Sequence, residues 1–210
     1  MDNKRTEKQK LKKLLKILII VFAVLLLLLA VLYLLSTFLK NDEKMDYTKK
    51  EDGFYYFSAD YEENPLNDEV YAAKNRYIMF TDHVGNGEPL TEENCKEQKI
   101  KKMFLSYFTS LMTGDARAHE DLLSDAYKQN FVVQKRFTPQ KVYDIDIKFL
   151  MGDNDGDKYV ERYQVSYKIY ENNGTYRADI GSDVAKLMVF DVTSDNGKAL
   201  INSIVPMNIK

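Results

Sequence analysis

The chain has 210 residues, with 30 Lys and Arg against 32 Asp and Glu, a formal net charge of −2. That average hides three unlike segments: residues 1–16 carry seven basic and two acidic groups, residues 17–39 carry none, and the remaining 171 residues carry 23 basic and 30 acidic groups. An acidic remainder of −7 excludes a nucleic-acid-binding domain on electrostatic grounds, and a single cysteine excludes an internal disulfide.

The first segment is a basic tail, with Lys4, Arg5, Lys8, Lys10, Lys12, Lys13 and Lys16. The uncharged run from Ile17 to Leu39 would make a helix of roughly 34 Å, enough to cross a hydrocarbon core of about 30 Å. A cleaved signal peptide has a shorter apolar region and a small-residue cleavage site, and Ser36, Thr37, Phe38, Leu39, Lys40 offers none. A lipoprotein anchor needs a cysteine just after the apolar stretch, and the one cysteine is Cys95. Seven basic residues precede the run, whereas Lys40, Lys44, Lys49 and Lys50 after it are interleaved with acids, so the N-terminus is expected in the cytoplasm and the rest outside. The lipid bilayer is then the first expected partner.

Residues 40–52 read as a charged stalk, and 53–90 as an aromatic-rich lead-in. It opens on Phe54, Tyr55, Tyr56 and Phe57, a short strand or extended docking segment. Asn67 is placed to cap a helix through Val70, Tyr71, Tyr77 and Ile78, which Gly85, Gly87 and Pro89 break. Cys95, set among Glu92, Glu93, Lys96 and Glu97, reads as a surface or half-buried thiol.

The next helix is capped by Thr91, with Glu92 and Glu93 in its first turn. Its apolar residues Ile100, Met103, Phe104, Tyr107, Phe108, Leu111 and Met112 follow the spacing of one buried helical face. Gly114 ends it, and Asp115 caps a second helix from 116 to about 127, with Leu122, Leu123 and Ala126 inward.

From Lys141 the period changes to two. Tyr143, Ile145, Ile147, Phe149 and Met151 alternate with Asp144, Asp146 and Lys148, and Tyr159, Tyr163, Val165, Tyr167 and Ile169 alternate with Arg162, Gln164, Ser166 and Lys168. Turn residues at 152–157, at Asn172, Asn173 and Gly174, and at 194–197 join these strands to further ones near 175–180, 185–193 and 198–207. Pro206 belongs near an edge or strand end. Asp153, Asp155 and Asp157 echo the start of an EF-hand loop, but Lys158 and Gln164 stand where glycine and a bidentate Glu are required, so no metal site is expected. His83 and His119 have no ligand-like neighbours. Asn173, Gly174, Thr175 spells a glycosylation acceptor, and Asn-Gly is equally a turn.

Helices followed by a meander give an α+β domain. Residues 104–115 (FLSYFTSLMTGD) and 122–127 (LLSDAY) resemble the helix, Gly-Asp, helix opening of NTF2-like (cystatin-like cone) domains, a likeness covering about 91–207 within a domain of 91–210. The resemblance implies helices on a curved antiparallel sheet, and a cone that in some members carries Asp, His or Tyr for catalysis. Asp144 and Asp146 should face solvent, whereas Glu161 lies on the mostly apolar face of its strand; Tyr107, Glu161, Tyr163 and Tyr167 are the candidate pocket residues. No acid–histidine pair is discernible, so neither catalysis nor a cofactor is expected.

A basic tail, one span and an external NTF2-like domain also resemble VirB8-type components of conjugative secretion systems. That likeness implies a non-catalytic interaction module with other envelope proteins or copies of itself as partners. The alternative is a small-ligand or peptide sensor, and a third reading is a membrane-tethered enzyme.

Overall fold

The computed structural model describes residues 57–155, 158–195 and 197–207, together with Leu26, Lys50, Glu51, Phe54 and Tyr55. The basic tail, the apolar run apart from Leu26 and including its ends Ile17 and Leu39, and most of the stalk lie outside the described residues. Among the described residues no helix is long and apolar enough to cross a membrane.

The domain is α+β, a six-stranded mixed sheet with few helices. Before it, β1 (Lys50–Glu51) pairs antiparallel with β2 (Phe54–Tyr55). Asn64 caps a 3₁₀ turn, Pro65–Asn67, and Asp68 caps α1 (Glu69–Ala72) by accepting from the Val70 and Tyr71 amides. The helix expected from Asn67 through Ile78 therefore starts later and lasts one turn. Asn75 accepts from the amide of Tyr77 at 3.2 Å, a local bond that competes with helix continuation, and Ile78 is drawn into the sheet as the first residue of β3 (Ile78–Thr81). The glycines expected to break a helix instead turn a hairpin: Asp82 accepts from Val84 and Asn86, Gly85 takes φ 90°, and β4 (Gly87–Pro89) returns along β3.

The long helix, α2 (Lys99–Thr113), begins well after Thr91. Thr91 and Asn94 exchange side-chain-to-backbone bonds of 2.9 and 3.2 Å, closing a separate turn. That turn buries Cys95 to 1% exposure, correcting the expectation of a surface or half-buried thiol, and burial raises the thiol pKa. Cys95 should therefore resist a disulfide reagent in the folded chain and react within seconds in concentrated urea; fast labelling of the native protein would contradict this burial. Gly114 ends α2 in the left-handed region, and Asp115 caps α3 (Ala116–Glu120), both as the sequence indicates. The second helix is split, however. Residues 121–122 turn and Leu123 bridges a strand at Ile201, with the Ser124 amide donating to Ile201 O and the Ile201 amide to Leu122 O, both at 2.9 Å. Ser124 then caps α4 (Asp125–Asn130), leaving Leu123 buried, Leu122 half-buried and Ala126 exposed.

Four long strands follow: β5 (Val142–Asp155), β6 (Lys158–Ile169), β7 (Met188–Asp195) and β8 (Lys198–Pro206). The order is β4-β3-β5-β6-β7-β8, antiparallel throughout except that β3 runs parallel to β5, so the sheet is mixed rather than antiparallel. Residues 175–180 form turns instead of a strand, because Asn172 donates to Arg177 O and Ile180 O and accepts from Gly174, curling the loop on itself. Asn173 is buried in the same loop and donates to Thr138, which occupies the amide a glycan would need.

Alternation puts Ile145, Ile147, Tyr163, Val165, Tyr167, Ile169, Phe190, Val192 and Ile201 on a buried face. A register shift between Phe149 and Met151 moves Met151 out of that set and beside Arg162. Phe104 of α2 lies on this face, with Tyr163, Phe190 and Phe80 ring centroids 5.1, 6.0 and 6.1 Å away. The other face is polar, with Arg162 donating to Asp191 and Lys168 to Asp144.

One ion knot fixes the lead-in to the sheet. Lys141, just before β5, reaches Glu63 and Asp68 at 2.9 Å each and Glu171 at 2.8 Å. The lysine bond holds the Asp68 carboxyl below its usual range, and the three carboxylates keep Lys141 protonated against its burial. Nearby, Tyr71 of α1 donates to Val142 O at 2.9 Å.

Candidate functional site

Between the N-terminal turn of α2 and the ends of β3, β5, β6 and β7 lies a cleft of about 500 Å³. Strand alternation brings Glu161 and Tyr163 to one face of β6, and both line the cleft. The Tyr163 hydroxyl donates to Glu161 Oε2 at 2.5 Å, and burial together with that carboxylate pushes the tyrosine pKa far up. Phe149 and Phe80 lie 5.6 and 5.7 Å from the Tyr163 ring. His83, in the β3–β4 turn, stands edge-on to Phe149 at 6.2 Å.

The cleft has one deep cation, Lys101, whose charge is taken by Glu88 while the ammonium lies 5.4 Å over the Phe80 ring. The rest of the lining is mixed: Phe80, Phe149 and Tyr163 supply rings, and Asp82, Glu97, Gln98, Lys99, Glu161 and Ser194 supply polar groups. Such a surface can accept a hydrogen bond from a ligand donor held against aromatic rings.

The other two candidate residues are elsewhere. Tyr107 of α2 is wholly buried, its hydroxyl 2.5 Å from that of Tyr176, and Tyr167 is buried beside them at 1% exposure. Burial raises the pKa of all three phenols. Against this knot lies His119, ringed by Tyr107, Tyr176 and Phe137 at 5.0, 5.4 and 5.6 Å, with its Nδ1 3.4 Å from Ser110 Oγ. Ser110 already donates to Tyr107 O at 2.7 Å, so its proton is not offered to the imidazole for nucleophile activation. Burial lowers the His119 pKa to about 4.

The four candidate residues thus divide: Glu161 and Tyr163 share a cleft, and Tyr107 and Tyr167 belong to the interior. Asp144 and Asp146 stand on the polar face, in ion pairs with Lys168 and Lys148. Sequence reasoning misses His83 and Lys101 as cleft residues, because local spacing assigns the strand before His83 to a helix. Among the described residues no group of three or more His, Cys, Asp or Glu side chains is arranged to hold a metal ion.

Comparison of the chain with family models, with curated proteins and with solved structures gives no match.

Proposed function

We propose that this protein is a single-pass, membrane-anchored interaction module, its NTF2-like domain lying outside the cytoplasmic membrane and serving without chemistry of its own as a scaffold in an envelope complex such as a conjugation or secretion system. The observation that carries this reading is the filled inner face of the sheet. Phe104, Tyr107, Phe108, Tyr167 and Phe190 are each at most 1% exposed there, so the interior where an NTF2-like enzyme would hold substrate is occupied by side chains. The charge pattern of the N-terminal segments supports the anchor and its orientation.

The test uses the full chain. Crosslinked in its own membrane and purified in detergent, it should bring down a partner in fixed proportion, and external protease should degrade the domain in right-side-out vesicles. A monomer without partners, or a domain protected from protease, would overturn the reading.

A second reading, a ligand sensor, is favoured by the cleft at Glu161. It predicts a small molecule released from the purified chain on denaturation, and a melting temperature that falls when that molecule is removed. Glu161→Gln should abolish the difference.

A further inference from the structure

A second hollow lies against β8, the edge strand of the sheet among the described residues. It has a volume of about 270 Å³ and runs between residues 131–134 with α4 on one side and β8 on the other. Leu123, Met188 and Tyr176 form its floor, Ile204 and Pro206 its strand wall, and Val132 its outer lip. Val132 is 83% exposed, and Phe131 and Val205 nearby are also exposed. The hollow thus joins apolar side chains with the polar groups of Gln134, Arg177 and Asp179.

The strand wall is itself half-used. β8 ends the sheet order, and among the described residues its outer side takes one short parallel bridge, Leu123 beside Ile201, with Ser124 bonded to Asn202 next to it. That contact shows that the outer backbone groups of β8 can be met by an extended segment. From Asn202 to Val205 the edge carries no Lys or other charge of the kind that usually blunts an exposed strand, and Pro206 marks where pairing must end.

Charge beside the hollow favours one chemistry of occupant: Arg177 and Asp179 line it, and Lys186 is bonded to Asp179. Asp179 receives Arg177 through two bonds of 2.6 and 2.5 Å, and Lys186 at 2.6 Å. Two cations share one carboxylate, and the bonds they make hold that carboxyl ionised, so the cluster carries a net charge of +1. An edge strand beside an apolar pocket is the geometry by which domains bind extended peptides: backbone bonds supply affinity and the pocket selects a side chain.

We propose that the open half of β8 and this hollow form a docking groove for an extended segment of a partner protein, which adds to the strand edge, seats one large apolar side chain in the pocket and places an acidic residue near Arg177 and Lys186. The proposal rests on the interaction-module reading and names its surface.

The full chain in detergent micelles would be panned against a phage-displayed library of random heptapeptides. Enriched peptides should combine a large aliphatic or aromatic residue with Asp or Glu within two positions of it. A synthetic copy should lose about tenfold in affinity with Val132→Glu and with Lys186→Glu, a loss of about 1.4 kcal/mol. Neither substitution touches the core, and unchanged melting temperatures would verify that both variants fold. No enrichment, enrichment of basic peptides, or peptide binding indifferent to both substitutions would overturn the groove. So would dimerisation abolished by Val132→Glu, which would assign the hollow to a second copy of this chain. A chain that fails the panning and still retains its crosslinked partner loses the groove while the module reading stands.

Discussion

Between pH 7.5 and pH 4.5 the folded domain should lose about 2–3 kcal/mol of stability through one side chain, His119. In the unfolded chain the imidazole takes its proton near its ordinary value of 6.5, whereas in the fold burial delays protonation to about 4. Across that window the unfolded state binds more protons than the native one, so acid favours unfolding, and stability is complete only above the unfolded value. His119→Gln removes the titration. Its urea midpoint should depend less steeply on pH than that of the parent, by an amount corresponding to that difference. Equal slopes would show that the folded imidazole titrates normally and that its aromatic surroundings are wet. The Asp68 carboxyl of the Lys141 knot acts at lower pH, because its depressed pKa keeps its contribution until pH falls through its folded value.

Gly114→Ala should destabilise the domain by about 2–4 kcal/mol, the sum of left-handed backbone strain and overpacking. Gly114 has φ 69°, and an added Cβ would lie 2.8 Å from the backbone nitrogen of Pro139. Neither the end of α2 nor residues 138–139 can yield freely: the Gln140 amide donates to Leu111 O at 2.8 Å, and Thr138 is bonded to Thr175 at 3.0 Å. Gly85→Ala supplies the comparison. Its φ is 90°, yet nothing lies within 4 Å of the added carbon, so it should cost only the conformational part, about 1 kcal/mol. A similar loss at both positions in urea titrations would mean that the contact with Pro139 relaxes.

Much of this architecture is written locally. The stripe from Ile100 to Met112 marks α2, the Gly114-Asp115 pair marks its end and the next start, and period-two alternation marks β5 and β6. Local pattern failed where a distant partner decides. Ile78 continues a helical spacing after Tyr71, yet four residues of β3 gain a parallel neighbour in β5, more than sixty positions on. Residues 175–180 have strand composition, but the Asn172 side chain captures their carbonyls. Met151 obeys the alternation until one extra residue reverses it. The site divides the same way: Glu161 and Tyr163 are two apart on one strand and were legible, whereas His83 and Lys101 come from elements whose meeting depends on the whole sheet.

The knot at Lys141 sets how the domain responds to a pull on its N-terminal end. Force arriving along the chain passes Glu63 and Asp68, the knot's two N-terminal carboxylates, and meets Lys141 at the root of β5 before it can reach α2. Lys141 is buried, so salt screens these pairs far less than surface ones, and the buried Tyr71 ring beside them is held to Val142 O. The attachment therefore gives way as one unit, ion pairs and buried ring together, and a pull on the N-terminal end is borne by this clasp before it bears on α2.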